Sequence, residues 1–305
     1  MKLEQSEYVL GHTNAEQLRL IRQARVLAPF TNRLFRDAGI ASGMRVLDIG
    51  CGMGDVTMLA AQLVGPSGRV VSIDRDQASI ETAQRRVSAI GLENVKFYQA
   101  DLLTFEDAES FDAIVSRLVL EFLPDTTAVI KRLSMLLRPG GIMAFQEASW
   151  RVWLAYTAHL PLRSAVTMLI HNAFVAGEVN TEMELPIYRA FLASGLSCSE
   201  MRIDLPLGDS PEFRSLLFDL LIPVWERAEA LKLPLDALGD PKTLASRLDN
   251  ELDVNKSFAS FVGLVGAVAR KRFTECCILL HCICPLLMLW TAPPPARECH
   301  RRGAC

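Results

Sequence analysis

No long run of lysine or arginine interrupts this sequence. Acidic residues outnumber basic ones, 35 against 32, for a formal net charge of −3. A protein that grips nucleic acid through its phosphates needs a basic surface, so no nucleic-acid partner is expected. Aromatic residues are few, at 7%, yet half of the 305 residues are hydrophobic, enough to bury the core of one large domain. The opening Met1–Glu7 is polar and acidic with no apolar stretch behind it, unlike a signal peptide, and a cytoplasmic location is the expectation. A disulfide framework is also missing. Cys51 and Cys198 stand alone, while Cys276, Cys277, Cys282, Cys284, Cys299 and Cys305 crowd the end of the chain. The apolar stretch from Cys276 to Trp290 is shorter than the ~20 residues of a spanning helix, and Pro285 interrupts it, so no stable membrane span is expected. No acidic cluster suits a catalytic Mg²⁺, and no metal site is expected. The sequence carries no signal for an oligomeric state.

What is present is a regular alternation. Leu20, Ile21, Ala24, Leu27 and Ala28 form an apolar stripe at helical spacing, with Arg19, Arg22, Gln23 and Arg25 off it. Arg45–Gly50 then reads as a strand buried on both faces, Cys51–Gly54 as a turn and residues 55–64 as a helix. Val70–Asp74 is a second strand and 77–90 a helix stopped by Gly91. Val95–Gln99 and Phe111–Ser116 are further strands. A helix over about 125–137 ends at Arg138-Pro139-Gly140-Gly141, and Ile142–Gln146 is a fifth strand. Such alternation means right-handed crossovers and a doubly wound α/β fold with a mainly parallel sheet. After Glu147 the alternation stops. Residues 150–193 and 211–252 read as helical, and late strands near Cys198–Leu205 and Ser260–Ala269 make an antiparallel edge, with the helical insertions capping the site. The expected organisation is N-terminal cap helices over 1–40, a Rossmann-like ligand-binding core over 41–148, and a helical cap with closing strands of the same domain over 149–271. A Cys-rich, poorly ordered tail is expected over 272–305.

The first strand and its turn spell D-x-G-x-G-x-G from Asp48 through Gly50, Cys51 and Gly52 to Gly54. Glycines there let the backbone turn sharply and approach a ligand at the carboxyl edge of the sheet. A dinucleotide fingerprint spaces its third glycine differently, and here Asp55 sits where that pattern wants Gly or Ala. Asp48 at the strand end would repel a pyrophosphate, whereas a ligand with a cationic amino group and a sulfonium suits it. Asp74 ends the second strand, at the spacing of an acid that holds ribose hydroxyls. Ala100-Asp101-Leu102 follows the third strand, where an acid can accept a hydrogen bond from an adenine amino group.

These residues, together with Arg138-Pro139-Gly140-Gly141, resemble the successive signatures of the class I S-adenosylmethionine-dependent methyltransferases, and most nearly the ubiquinone/menaquinone-biosynthesis methyltransferase-like group. The resemblance is strong over about 8–148 and continues weakly to Val265–Lys271. It implies a seven-stranded sheet of order 3-2-1-4-5-7-6 with the last strand antiparallel, and S-adenosylmethionine as cofactor. It implies that Gly50, Gly52 and Gly54 approach the methionine part, Asp74 the ribose and Asp101 the adenine, with Cys51, Arg75, Ala100 and Leu102 beside them in the cofactor site. Ser116 and Arg117 would flank the cofactor where the acceptor arrives, and Tyr8 would close over it.

Transfer of a methyl group from a sulfonium needs alignment above all. A general base is required only if the acceptor must lose a proton. The candidates are Glu147 at the end of the fifth strand, His159 and His171 in the cap, and Glu121 after the fourth strand. Ser116-Arg117-Leu118-Val119 shows no Asn-Pro-Pro-Tyr, which argues against enzymes that use that motif to methylate an amide or adenine nitrogen. Trp150, Trp153, Met168 and Phe174 suit a flat or apolar small-molecule acceptor; the alternative is that they are the cap's own core. A binding protein without turnover and, with less support, a nicotinamide-dependent oxidoreductase stay open beside the methyltransferase.

Overall fold

The computed structural model describes residues 14–273. It divides into a unit running through Arg272 and a second unit from Phe273 onward, of which only Phe273 is described. Tyr8 and the Cys-rich tail therefore lie outside the described residues.

The first five strands alternate with helices as the periodicity predicts. In chain order they are α1 (Asn14–Ala38), β1 (Arg45–Ile49), α2 (Asp55–Val64), β2 (Arg69–Asp74), α3 (Gln77–Ala89), β3 (Val95–Gln99), β4 (Phe111–Arg117), α4 (Thr126–Leu136) and β5 (Leu137–Ser149). Local chemistry sets the boundaries. Asp76 and Asp125 cap α3 and α4 by accepting from the amides of Ser79 and Ala128, each at 2.9 Å. β5 starts earlier than the sequence suggests. Leu137 already pairs with Phe111, and a register shift between Phe111 and Ala113 absorbs the Pro139-Gly140-Gly141 segment that reads as a turn.

The second half contributes α5 (Trp150–Thr157), α6 (Pro161–Val175), α7 (Glu184–Ala193), β6 (Leu196–Asp204) and the two-residue strand β7 (Leu207–Gly208). It continues with α8 (Pro211–Ala230), α9 (Pro241–Asn255), a second two-residue strand β8 (Ala259–Ser260) and β9 (Gly263–Lys271). α6, α8 and α9 begin on proline, which lacks the amide a first turn leaves unpaired.

The main sheet has seven strands in the order β3-β2-β1-β4-β5-β9-β6. With β9 counted as the seventh strand, this is the expected 3-2-1-4-5-7-6. Only β9 runs against the rest, paired antiparallel to β5 and β6. The order reverses beside β1, between the crossovers to β2 and to β4, which places a crevice above the carboxyl ends of those two strands.

Three buried clusters hold the unit together. One packs α1 and α2 on the sheet through Leu34, Phe35, Val46, Ala60 and Val115. A second covers the opposite face, where Phe145 of β5 meets Phe191 of α7 with ring centroids 6.0 Å apart. The third, the largest, belongs to the cap: Trp150, Trp153, Phe174, Leu217, Leu221, Val224 and Phe261 pack α5, α6 and α8 together over the end of the sheet.

α1 departs from the pattern read in sequence. Arg19 and Gln23 lie off its apolar stripe, yet both are buried, Arg19 to 3% exposure. The Arg19 guanidinium donates to both carboxylate oxygens of Glu16, at 2.7 and 2.6 Å, and to Gln23 Oε1 at 2.6 Å. An apolar stripe identifies one packed face of a helix and is silent about a polar face buried through its own pairing.

Candidate active site

The carboxyl ends of β1, β2 and β4 open onto a cavity of about 790 Å³. Gly50, Cys51, Gly52, Asp74, Arg75, Ala100 and Leu102 line one end. Leu118, Val119, Glu121, Phe122, Trp150, Phe174 and Phe261 line the other.

The glycine loop forms the floor of the first end. Gly50 has a φ of +62°, and a Cβ there would sit 2.7 Å from the Val119 side chain, so backbone conformation and space both demand glycine. Gly52 also has a positive φ, +49°, but nothing lies within 4 Å of where its Cβ would project. A ligand can therefore approach that backbone closely. Gly54 does not line the cavity; it lets α2 pack on α3, with its Cβ position 3.0 Å from Ala83 Cβ.

Asp74 fixes this loop. Its Oδ2 accepts from the Gly52 amide at 2.8 Å and its Oδ1 from the Asp76 amide at 2.9 Å. Each carboxylate oxygen keeps a second acceptor site for a hydroxyl in the cavity. Asp48 lies beneath the loop, 1% exposed, and is not part of the cavity wall. Its Oδ2 accepts from Thr57 Oγ1 at 2.6 Å, while its Oδ1 is buried without a hydrogen-bond partner. Burial raises its pKa to about 7, opposed by the Thr57 hydrogen bond and the Arg117 charge. Burial also pushes the Cys51 thiol far up, with Asp48 and Asp74 adding to the effect, so Cys51 is no thiolate nucleophile. Asp55, in the first turn of α2, pairs with both terminal nitrogens of Arg86, at 2.7 and 2.9 Å.

Asp101 follows the end of β3, as the sequence places it. It does not line the cavity, and its Oδ1 accepts from the Leu103 amide at 2.8 Å, closing a tight turn. Its neighbours Ala100 and Leu102 are the residues of that segment in the wall.

The middle of the cavity is bounded by the end of β4. Arg117 lines it and donates to Thr31 Oγ1 at 3.0 Å. Burial lowers its pKa, and the charges of Asp55 and Asp48 oppose that. Leu118 follows with a φ of +57°, a conformation a branched residue adopts only when its surroundings impose it. Two groups do so. The Leu118 amide donates to Gln146 O at 2.8 Å, and the Val119 amide donates to Glu147 Oε2 at 3.0 Å. Glu147 also accepts from Ser116 Oγ at 3.3 Å and the Glu121 amide at 3.4 Å. Fully buried beneath this segment, Glu147 has its pKa raised to about 7 by burial, against those hydrogen bonds. Ser116 and Glu147 thus sit behind the wall and hold it in place.

The carboxylate that does line the cavity on this side is Glu121, 4% exposed. Burial pushes its pKa well above the usual range, the Glu147 charge adds to that, and the Trp150 side chain opposes it. The two histidines are elsewhere. His159 is exposed and bonded to Tyr156 O and Ser257 Oγ, at 2.7 and 3.0 Å. His171 packs on the Trp150 ring, centroids 5.5 Å apart, with Nε2 3.1 Å from Thr181 Oγ1, and is not in the wall. α1 supplies residues that the sequence did not nominate: Glu16, Arg19 and Gln23 line the same cavity. Their spacing of three and four residues on one helix face was the available signal.

Residues 40–186 match the family described as a methyltransferase domain. With the sheet order and the glycine loop, this match supports a class I S-adenosylmethionine-dependent methyltransferase domain. The demethylmenaquinone methyltransferase of Staphylococcus aureus (strain JH9) is 34% identical over 119 residues, 38% of this chain and 48% of that protein. The chain thus spans about half the length of the curated relatives it matches. Among solved structures, phosphoethanolamine N-methyltransferase 2 of Haemonchus contortus, in complex with S-adenosylhomocysteine and phosphomonomethylethanolamine, shares the fold. Its TM-score is 0.55 at 16% identity, over 89% of this chain and 61% of that one. The [4+2]-cyclase SpnF shares it too, with a TM-score of 0.50 at 17% identity over 81% of each chain. A fold that carries a cyclase as well as methyltransferases does not by itself name the reaction.

Among the described residues, no helix is long and apolar enough to cross a membrane, and no group of three or more His, Cys, Asp or Glu side chains is placed to hold a metal ion.

Proposed function

We propose that this chain is a cytoplasmic methyltransferase that carries a methyl group from S-adenosylmethionine to an oxygen, nitrogen or carbon of a small, flat or apolar molecule, in quinone-like or secondary metabolism. In this reading residues 41–148 bind the cofactor and 149–271 cap the acceptor. One observation carries it: a single cavity joins a glycine-loop end ringed by acids to an end walled by Trp150, Phe174 and Phe261.

The residues present fit the cofactor. Gly52 leaves open space beside a bare backbone, Asp74 offers spare acceptor sites for ribose hydroxyls, and Ala100 and Leu102 offer an apolar wall to an adenine. Arg117 suits the carboxylate of the methionine part. Asp55 and Asp76 beside the loop oppose a pyrophosphate, which counts against a nicotinamide dinucleotide. S-adenosylmethionine supplies an activated methyl group, so the protein's task is to orient the acceptor and exclude water. The Glu147 carboxylate, by holding the amides of Val119 and Glu121, keeps the wall between the two ends rigid.

The test is incubation of the full chain with methyl-labelled S-adenosylmethionine and a panel of hydroxylated arenes, quinols and aromatic amines, followed by mass spectrometry. Label on one class of acceptor is the expected result. Tight S-adenosylmethionine binding without label transfer to any member would replace this reading with a binding protein.

A further inference from the structure

Deepening the methyl-transfer reading, on which this step rests, we propose that Glu121 removes the proton from a hydroxyl group on an aromatic acceptor as the methyl group arrives, so that the acceptor is a phenol or hydroxyarene. Glu121 stands in the cavity wall between Val119 and Phe122, with Trp150 and Phe174 in the same wall. Its backbone is fixed on both sides: its amide donates to Glu147 Oε2 and its carbonyl accepts from the Asn180 amide at 2.8 Å. Its Oε2 is buried with no hydrogen bond of ordinary geometry among the described residues, and the Trp150 side chain beside it opposes the rise of its pKa. A buried acceptor atom without a good partner is costly, and a donor on a bound ligand would recover that cost.

The other charged groups in the wall have tasks of their own. Glu16 binds Arg19 through both oxygens, Asp55 binds Arg86, and Asp74 holds the glycine loop. Asp76 caps α3, Arg117 bonds Thr31, and Arg75 belongs to the cofactor end. Glu147, the acid nearest to Glu121 in influence, lies behind the wall, with four hydrogen bonds from the segment it supports. Glu121 is therefore the carboxylate placed at the aromatic end. Its raised pKa, set first by burial and then by the Glu147 charge, brings its basicity nearer to that of a phenol.

The step balances. The acceptor oxygen forms a bond to the methyl carbon, the carbon–sulfur bond breaks with its electron pair going to sulfur, and the hydroxyl proton passes to the Glu121 carboxylate. The products are a methyl ether, a neutral thioether and a protonated carboxyl, which water reclaims when the site opens.

The experiment compares 1-naphthol with its methyl ether, which has the same flat apolar body but no proton to give. Calorimetric titrations use the full chain saturated with S-adenosylhomocysteine, as wild type, Glu121→Gln and Glu121→Leu. The wild type should prefer the naphthol at least tenfold, and Glu121→Leu should erase the preference while leaving S-adenosylhomocysteine affinity within twofold. Glu121→Gln keeps an acceptor oxygen but takes no proton. It should retain much of the preference, yet transfer label to 1-naphthol at least 100-fold more slowly with KM for S-adenosylmethionine unchanged. Equal or absent binding of naphthol and ether in the wild type, a preference that survives in Glu121→Leu, or undiminished transfer by Glu121→Gln would overturn the proposal. A folded protein that does not bind S-adenosylhomocysteine would instead sink the methyl-transfer reading beneath it.

Discussion

The two ends of the cavity are built on different principles. At the glycine end the wall is mostly backbone, set by positive φ angles at Gly50 and Gly52 and by one carboxylate, Asp74, that ties the loop down. At the cap end the wall is side chain, drawn from α5, α6, α8 and the segment before β9, and shaped by packing among Trp150, Phe174, Leu220 and Phe261. Backbone geometry leaves a dense local signature in sequence. A wall assembled from four distant segments leaves only composition. In the proposed reading the first end holds the cofactor and the second admits the acceptor.

This contrast breaks most sharply on substitution at the cap. Trp150→Ala removes a fully packed ring that touches Trp153, Phe174 and His171, with centroids 5.0–5.5 Å away. Denaturant unfolding should show a loss of about 3–5 kcal/mol, with S-adenosylmethionine affinity nearly unchanged at temperatures where the variant is folded. A large loss of cofactor affinity would mean that the two ends are not independent.

Asp48 sharpens the comparison through pH. Its folded pKa is raised to about 7 from 3.8, so the folded chain holds the proton more tightly than the unfolded chain does. That contribution to stability is complete below about pH 4 and is lost as pH rises towards 7. Between pH 5 and 8 the wild type should lose roughly 2–4 kcal/mol more stability than Asp48→Asn, read from urea titrations at each pH. Parallel curves would show that Arg117 neutralises Asp48 more fully than burial penalises it.

The two loop glycines separate folding from binding. Gly50→Ala meets Val119 and a positive φ, and should lower stability by about 2–3 kcal/mol. Gly52→Ala meets only the backbone penalty, roughly 1 kcal/mol, but places a methyl group in the cavity, so its main effect should be on cofactor affinity. The smallest effect is expected at His159. His159→Gln, on an exposed side chain bonded to Tyr156 O and Ser257 Oγ, should shift stability by no more than ~0.5 kcal/mol and leave any pH–rate profile unmoved.

The strand–helix alternation and the glycine loop were legible because each depends on neighbours in sequence: a buried strand, a turn that only glycine makes, an acid at the next strand end; the sheet order came from the family resemblance. Other parts were not. Gly54 belongs to the same motif, but its packing against Ala83 requires knowing where α3 lies. β5 is buried along its whole second half, so no alternation revealed that Glu147 would turn behind the wall while Glu121, in a short irregular segment, would face the cavity. His171 sits on an apolar helix face beside aromatic residues, as a packed histidine and a catalytic one both would; only the placement of α6 shows its ring packed at a tilt against Trp150 and outside the cavity wall. The buried Glu16–Arg19–Gln23 cluster was hidden because charged residues on a helix ordinarily mark its solvent face.

The central claim is that the acid-ringed glycine end is an S-adenosylmethionine site. Calorimetric titration of wild type and Asp74→Ala with S-adenosylmethionine, beside NAD and NADP, tests it most directly. The account predicts micromolar-range binding of S-adenosylmethionine alone, weakened roughly 10- to 100-fold by the substitution, the loss expected for hydrogen bonds to a charged group. Binding of NAD or NADP in preference to S-adenosylmethionine, or S-adenosylmethionine affinity untouched in a folded Asp74→Ala, would contradict it.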